Sequence, residues 1–451
     1  MVRQRDIPTL SAETDAAERV VLVGVQLDGS RADDADASLE ELAALVRSAG
    51  GEVVGSVLQR RPKPDPATFV GRGKLEEVAA EVRSGDAQTV VFDDELSPAQ
   101  LRNVEESVSA KVIDRTILIL DIFAQRARSA EGRKQVELAQ LVYGLPRLRG
   151  WGEALSRIGG ASGGGGRGGG RGRAPIGTRG PGETQLEIDR RRIERRIVKL
   201  RKELKDLRKR RALSRRRREE SVPNVALVGY TNAGKSTLLN YLTRAGVAVE
   251  DRLFSTLDPT ARRLRLPDRG TVVISDTVGF IRKLPHGLVE AFASTLEHVA
   301  GADLLVHIVD ASRSDPDADV TAVDEVLAEI GATDVPRLVV CNKMDALDPA
   351  ARERVRHRYP DAVPISALTG EGVDELLGVV GQRTEGRSVE VEAVLPYAEG
   401  TLLARLHEAG RVASANHEEN GVRVRVRARA ADLDALRPYL VSTPAGRTQP
   451  A

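Results

Sequence analysis

The sequence predicts a multidomain protein of the α/β class. The chain has 451 residues, enough for about three domains. Over residues 19–115, short runs of Val, Ile and Leu alternate with segments of helical period, an order typical of a parallel sheet. The same order returns over residues 221–386, where a glycine-rich loop joins a predicted strand to a predicted helix. A long helical segment lies between the two regions, and a small α+β unit follows the second.

The composition narrows the class of protein further. Hydrophobic residues make up 41% of the chain and aromatic residues only 3%, so its cores must rely on Val, Leu, Ile and Ala. The single cysteine, Cys341, excludes a disulfide framework and suits a reducing compartment. The sequence contains neither a run of about 18 apolar residues nor an N-terminal signal pattern. We therefore expect a cytoplasmic protein without an integral membrane segment.

The N-terminal region is predicted to hold four strands and three helices. Residues 1–18 are polar and are expected to be flexible. Ser97-Pro98 provides an N-cap followed by proline at the first helical position. The predicted strands of this subdomain, residues 19–115, lie at 20–25, 53–58, 89–93 and 112–114, and its helices at 38–49, 74–84 and 97–108.

The segment Gly71-Arg72-Gly73-Lys74 stands directly before the second of these helices. Glycines and a lysine at a helix start can bind an anion, which would make this turn a second nucleotide site. A tight connection that only starts the helix explains the same residues. Both interpretations stay open.

Residues 116–220 are predicted to form a helical hairpin. Leucine and isoleucine recur at helical spacing along the segment from Glu183 to Arg218, which creates an apolar seam that needs one partner helix. Residues 130–148 are the expected partner, antiparallel across a loop at 159–182. The seam consists of Leu186, Ile193, Ile197, Leu200, Leu204 and Leu207.

Two parts of this hairpin are candidates for RNA contact. The loop is rich in Gly and Arg, has almost nothing to bury and is expected to be mobile, either as an RNA contact or as a plain linker. Residues 190–218 carry 17 Lys/Arg against three Asp/Glu, which predicts a polyphosphate partner, with RNA before DNA or a membrane; a solvated face is the alternative. Because no aromatic residues are interleaved, backbone and shape contacts are expected. The candidate contacts are Arg167, Arg171, Arg173, Arg179, Arg215, Arg216, Arg217 and Arg218.

The segment Gly229–Thr237 reads GYTNAGKST and fits the phosphate-binding pattern G-x-x-x-x-G-K-[ST]. A predicted strand at 224–228 delivers this loop, and a predicted helix follows it. Lys235 is expected to reach the β- and γ-phosphates, and the Ser236 hydroxyl to bind Mg²⁺. The predicted contacts from this loop are Gly229, Tyr230, Thr231, Asn232, Ala233, Gly234, Lys235 and Ser236.

Three later segments each follow a predicted strand and complete the site. Asp276 can hold Mg²⁺ through a water, and the Gly279 amide can sense the γ-phosphate. Asp345 of the N-K-x-D pattern can accept two hydrogen bonds from guanine, whereas a carboxylate buried against adenine would be left unpaired. A backbone amide after the last strand can meet the guanine oxygen. The predicted residues are Asp276, Thr277, Val278, Gly279, Asn342, Lys343, Met344, Asp345, Ser366, Ala367 and Leu368.

The order of these motifs predicts a guanine-nucleotide switch, a P-loop domain at residues 221–386 that binds GTP and GDP. A βαββα unit with a hairpin turn at Asn420-Gly421 is predicted at 387–441, and residues 442–451 are expected to be a disordered tail.

The motifs together resemble those of the HflX-type GTPases, relatives of the Obg group. The resemblance covers nearly the whole chain and implies an N-terminal α/β subdomain with a helical hairpin, a Ras-like GTPase domain, and contact with the large ribosomal subunit and its RNA. It also implies roles in protein synthesis, ribosome splitting, rescue of stalled ribosomes or subunit biogenesis. It rests on FVGRGK at 69–74, Asp114-Arg115-Thr116, GPGETQLE at 180–187, GYTNAGKST, FSTLDPT at 254–260, DTVGFI at 276–281, NKMD and SAL.

The resemblance assigns further residues to the site. It identifies a first switch in which Thr256 would be the second hydroxyl ligand of Mg²⁺. Phe280 stands where Ras-like proteins carry a water-orienting glutamine, so slow, partner-stimulated hydrolysis is expected. In related GTPases that K⁺ activates, an asparagine at the position of Asn232 helps to bind the K⁺ ion. Asn232 would do the same here, or it would only stabilise the loop. The switch residues are Phe254, Ser255, Thr256, Leu257 and Asp258.

The leading hypothesis is therefore a monomeric GTPase that binds the large ribosomal subunit. Two alternatives belong to other classes. One is a non-enzymatic RNA chaperone with a vestigial nucleotide domain. The other is a signalling GTPase that associates peripherally with a membrane through its basic helix.

Overall fold

The computed structural model divides the chain into two units, Met1–Asp206 with Pro285–Ala291 and Leu207–Leu284 with Phe292–Ala451. Each unit is described by itself. The structure describes residues 17–27, 32–147, 185–216, 222–243, 253–254, 260–267, 270–283, 296, 298–385, 389–408, 412–428 and 430–442.

The first unit begins with a parallel four-stranded sheet whose strand order is β2-β1-β3-β4. The middle of β1 is buried on both faces, as expected for a parallel strand between helical layers. Ser97 is the N-cap of α3, as predicted, and it also forms a capping box with Gln100. The strands are β1 (Arg19–Leu27), β2 (Glu52–Arg61), β3 (Thr89–Phe92) and β4 (Lys111–Asp114), and the helices are α1 (Ala32–Ala49), α2 (Arg72–Ser84) and α3 (Pro98–Val108).

The Asp114-Arg115 pair ties this sheet to the helices that follow. Asp114 caps α4 (Arg115–Arg126) by accepting a hydrogen bond from the Ile117 amide at 3.0 Å, and it pairs with Arg147 at 3.1 Å. Arg115 is fully buried and pairs with Glu41 and with Asp93, the latter at 2.6 Å. Asp114 and Arg115 therefore have a structural role, because each charge is neutralised by a partner inside the fold.

The predicted helical hairpin is confirmed. Helix α5 (Ala130–Gly144) packs on α6 (Gln185–Arg216) through a shared apolar cluster. Glu137 pairs with Arg196 at 2.6 Å and Lys134 with Glu203 at 2.8 Å, so residue numbers run in opposite directions along the two helices. The buried core of the cluster is Leu138, Ile197, Leu200 and Leu204.

The second unit contains a six-stranded sheet of order β10-β9-β8-β5-β7-β6, parallel except for β6. The sequence interpretation did not identify the strands β6 and β8 or the helices α8, α9 and α10. The strands are β5 (Asn224–Gly229), β6 (Thr260–Arg265), β7 (Thr271–Asp276), β8 (Leu304–Asp310), β9 (Arg337–Asn342) and β10 (Val363–Pro364). The helices are α7 (Lys235–Thr243), α8 (Pro316–Glu329), α9 (Pro349–Arg358) and α10 (Val373–Glu385).

The C-terminal α+β unit is an antiparallel sheet of order β12-β13-β11-β14. The order of its elements is βαββαβ, so a short final strand follows the predicted βαββα. Gly421 occupies the predicted hairpin turn with φ +153°, where a Cβ would clash with the Leu395 carbonyl oxygen. The elements are β11 (Val389–Leu395), α11 (Gly400–Glu408), β12 (Val412–Glu418), β13 (Gly421–Ala428), α12 (Ala430–Leu436) and β14 (Leu440–Ser442).

Several sequence-based predictions lie outside the described residues. They are the flexible N-terminus up to residue 16, the loop at 159–182, the switch residues at 255–258, Arg217, Arg218 and the tail from 443. Among the helices that the structure does describe, none is long and apolar enough to cross a membrane.

Candidate guanine-nucleotide site

The phosphate loop connects the end of β5 to the start of α7. Gly229 has φ +151° and Gly234 has φ +99°, a region that favours glycine. A Cβ at Gly229 would clash with the Ile308 carbonyl oxygen, and one at Gly234 with the Asn342 side-chain amide. The two glycines are therefore required by the backbone path, which brings the loop close to β8 and β9.

Lys235 lies buried at the first position of α7, with 6% of its surface exposed. Its Nζ donates hydrogen bonds to the carbonyl oxygens of Gly229 at 3.0 Å and Tyr230 at 2.7 Å. Burial lowers the pKa of Lys235 to about 8, and the charge of Asp276 opposes this shift. The loop thus holds a buried amine whose protonated form would be stabilised by phosphate oxygens.

Ser236 and Asp276 meet at the mouth of the loop. The Ser236 hydroxyl and the Asp276 carboxylate Oδ2 lie 2.6 Å apart, and both residues are buried. These are the hard oxygen donors that Mg²⁺ prefers. Within the described ranges no group of three or more His, Cys, Asp or Glu could hold a metal alone. The pair fits an ion that also takes phosphate and water ligands, as Mg²⁺ commonly does.

The segment after β7 lies directly against the phosphate loop. The Thr231 amide donates to the Phe280 carbonyl at 2.8 Å, and the Phe280 amide donates to the Gly229 carbonyl at 3.1 Å. A Cβ at Gly279 would lie 2.9 Å from Thr231 Cα and 3.0 Å from Lys235 Nζ. Phe280 is buried, so its ring helps to anchor this segment. Thr277 and Val278 are also buried here, with the Thr277 hydroxyl donating to the Leu227 carbonyl at 2.7 Å.

The N-K-x-D residues sit at the end of β9, beside the phosphate loop. The Asn342 side-chain amide donates to the Ala233 carbonyl at 2.8 Å, and its Oδ1 accepts from the Ala367 amide at 2.9 Å. Asn342 therefore joins the phosphate loop to the last predicted loop of the site. Lys343 pairs with Asp310 at 2.7 Å, and Met344 is buried.

The residues predicted to recognise the base differ in exposure. Asp345 is exposed, so its carboxylate can receive donors from a base. Ser366 is fully buried and accepts a hydrogen bond from the Thr369 amide at 3.1 Å, which shapes the loop after β10. Leu368 is 76% exposed at the surface of the same loop. The structure thus brings the predicted loops of the site together at one edge of the sheet.

Two remaining predictions concern Asn232 and the first switch. Asn232 is exposed with φ +61°, a left-handed conformation that asparagine tolerates better than most residues. Phe254, the first residue of the predicted switch, is buried with φ +57°.

Sequence reasoning missed the contributions of β8. Asp310 ends this strand and pairs with Lys343, and His307 lies buried within it. Burial lowers the pKa of His307 to about 3, aided by the nearby charges of Arg337 and Lys235. The run LLVHIVD at 304–310 is apolar enough to predict a strand, but it contains no nucleotide-binding motif that would have linked it to the site.

The contacts of the turn before α2 favour a tight connection over an anion-binding site. The Gly71 amide donates to Gln59 Oε1 at 2.8 Å, and Lys74 pairs with Glu77 at 2.7 Å. These two contacts are the ones expected of a tight connection.

Family models match the chain in four consecutive parts. The models are described as GTP-binding GTPase N-terminal over residues 36–124, GTP-binding GTPase Middle Region over 126–218, 50S ribosome-binding GTPase over 224–343 and HflX C-terminal domain over 350–446.

Similar proteins cover most of the chain. GTPase HflX of Caldanaerobacter subterraneus subsp. tengcongensis is 45% identical and covers 94% of both chains. GTPase HflX of Escherichia coli is 44% identical over 90% of this chain and 92% of its own. A crystal structure of a GTP-binding protein from Sulfolobus solfataricus in complex with GDP is 25% identical, with a TM-score of 0.41, over 81% of this chain and 98% of its own. The chain belongs to the HflX family of GTPases, which bind guanine nucleotides and hydrolyse GTP.

Proposed function

We propose that this GTPase is a switch that binds the large ribosomal subunit and its RNA. It would act in protein synthesis, in ribosome splitting and rescue under stress, or in subunit biogenesis. The observation that carries the proposal is the outward face of α6. The description of one matching family model as a 50S ribosome-binding GTPase supports the same partner.

Helix α6 has two different faces. Its apolar residues at 193, 197, 200 and 204 face α5. At 100° per residue, the described part of the opposite face, residues 190–207, carries six exposed cations and one exposed acid, Asp206. Among these described side chains, the one large apolar residue on this face is Val198, 67% exposed. The cations are Arg191, Arg192, Arg195, Lys199, Lys202 and Lys205.

This face suits a phosphate backbone better than a bilayer. A basic stripe spanning about 14 residues is roughly 20 Å long, which spans several phosphates of an RNA strand. A helix lying in a membrane interface would need an exposed apolar stripe, whereas the apolar stripe of α6 is packed against α5. The RNA-chaperone alternative conflicts with the family's activity as GTPases.

The roles of the site residues are part of the proposal. Lys235 and the loop amides of residues 229–236 would hold the phosphates, and Asp345 with the 366–368 loop would hold guanine. Ser236 would ligate Mg²⁺ directly and Asp276 through a water, with Thr256 joining when the γ-phosphate is present. Bound Mg²⁺ would neutralise charge on the phosphates.

Replacing Arg215, Arg216, Arg217 and Arg218 with Gln should weaken ribosome binding and flatten its salt dependence. The logarithm of the binding constant falls linearly with the logarithm of the salt concentration, and each lost phosphate contact should reduce the steepness of that line by about 0.7–0.9. The helix should persist, because Gln and Arg have similar helix propensities. Intrinsic GTP hydrolysis should change little, while ribosome-stimulated hydrolysis should fall with binding. Affinity measured by sedimentation at several salt concentrations provides the test.

A second variant addresses the described part of the same helix. Arg195→Gln/Lys199→Gln/Lys202→Gln removes three charges from the outward face and leaves the seam intact. We expect it to weaken binding in the same way. If both variants match the parent in affinity and slope, the basic run is only a solvated face.

A further inference from the structure

Asp319 is a buried carboxylate held between two arginines beside the phosphate loop. It lies in the first turn of α8, with 3% of its side chain exposed. Its Oδ1 lies 3.5 Å from Arg282 Nη2, and its Oδ2 lies 3.2 Å from Arg313 Nη1. We call Tyr230, Arg282, Arg313 and Asp319 together the Asp319 clasp.

The buried position of Asp319 destabilises the ionised form of its carboxyl group. Both ion pairs are within 3.5 Å, but the contact with Arg282 lies at the distance limit of a hydrogen bond and neither pair is well aligned. Burial raises the pKa of Asp319 to about 6 against the charges of Arg313 and Arg282, with Asp310 adding to the rise. A buried charge without well-aligned hydrogen bonds destabilises the folded protein. Stability therefore does not explain why an aspartate stands at this position.

Both arginines also contact Tyr230, the second residue of the phosphate loop. The Arg282 backbone amide donates to the Tyr230 hydroxyl at 2.9 Å. The Arg313 guanidinium carbon lies 5.0 Å from the centre of the Tyr230 ring, within cation–π range. Tyr230 itself is buried. The clasp therefore joins Arg282 to the phosphate loop through its backbone and to α8 through its side chain.

Arg282 stands three residues after Gly279, whose amide is the predicted γ-phosphate sensor. Between them, Phe280 is joined to the phosphate loop by its two backbone hydrogen bonds. The segment 279–282 is thus held against the phosphate loop at two places, at Phe280 by these hydrogen bonds and at Arg282 by the clasp.

We propose that Asp319 is a positioning residue for GTP hydrolysis, which acts through Arg282 and Arg313 to set where residues 279–282 lie against the phosphate loop. In this proposal it acts through the two arginines and not by touching the reacting groups. Its function is to hold the Gly279 amide where the transferred phosphoryl group requires it. Displacements of about 1 Å can cost a reaction on the order of 100-fold in rate.

The test is Asp319→Asn in the full chain, which keeps the side chain's shape and removes its charge. We expect kcat for GTP to fall on the order of 10-fold, because the segment is loosened rather than lost. KM should stay within about twofold, since the loop and the base site keep their contacts. The measurement is steady-state phosphate release across GTP concentrations.

Thermal unfolding separates positioning from a structural role. The folded-state pKa of Asp319 is raised from 3.8 to about 6, so the ionised carboxylate weakens the fold increasingly as pH rises through that range. At pH 8 the Tm of Asp319→Asn should therefore be no lower than that of the parent. A purely structural residue would lower Tm and kcat together.

A double-mutant cycle tests the route through Arg282. If Asp319 acts through Arg282, the loss in Asp319→Asn/Arg282→Gln should be smaller than the product of the two single losses. Asp324→Asn is the matched control, because Asp324 lies on the same helix and pairs with Arg337 at the surface. That variant should keep the parent kcat.

The proposal is overturned by any of three results. These are an unchanged kcat in Asp319→Asn, a Tm at pH 8 that falls together with kcat, and single losses that multiply in the double variant. A kcat loss with preserved Tm and non-multiplying losses supports it.

Discussion

Lys235→Ala should lower GTP turnover at least about 100-fold, the scale of loss when one preorganised charge is removed from a transition state. The Lys235 ammonium is buried and held by two loop carbonyls, so no neighbouring side chain can take its place without rebuilding the loop. Nucleotide affinity should fall as well, because the same charge neutralises the phosphates in the ground state. Phosphate release and titration with a fluorescent GTP analogue measure the two effects.

The control for this variant is Lys63→Ala, which removes an exposed lysine of the N-terminal subdomain. It should hydrolyse GTP as the parent does. If Lys235→Ala retains parental turnover, the loop at 229–237 is not the phosphate site.

Asp345→Asn should change base preference from guanine to xanthine. The carboxylate offers two acceptors to the guanine donors at N1 and N2, whereas an amide offers one acceptor and one donor. A site built for hydrogen bonding can reject a mismatched ligand by about 10⁴-fold, so kcat/KM for GTP should fall by at least about 100-fold while that for XTP rises above it. Competition between GTP and XTP in a hydrolysis assay measures the change.

Asp334→Asn provides the comparison, since Asp334 is an exposed aspartate in the turn before β9. It should leave the ratio of GTP to XTP turnover unchanged. An unchanged ratio in Asp345→Asn would remove Asp345 from base recognition.

The sequence predicts those parts of the fold whose signal is local. The phosphate loop is recognisable because glycine, lysine and serine must stand at fixed spacing between a strand and a helix. The hairpin was predictable from the seven-residue recurrence on α6, and the structure places its buried leucines and isoleucine against α5. Ser97 and Pro98 likewise carry their capping signal within four residues.

The missed features depend on contacts between distant residues. Arg282 and Asp319 are 37 positions apart in sequence, so no spacing links them before the fold is known. Strand β6 is mostly exposed and rich in arginine, which hides it from a search for buried apolar runs. Strand β14 has three residues and pairs only with β11, too short a segment for a periodic pattern.

The most direct test of nucleotide-controlled ribosome binding is co-sedimentation of the full chain with separated ribosomal subunits. The protein is loaded either with a non-hydrolysable GTP analogue or with GDP, at fixed salt and Mg²⁺. We predict that it pellets with large subunits in the presence of the analogue, and much less with GDP or with small subunits. Equal pelleting with both nucleotides, or with both subunits, would contradict the account.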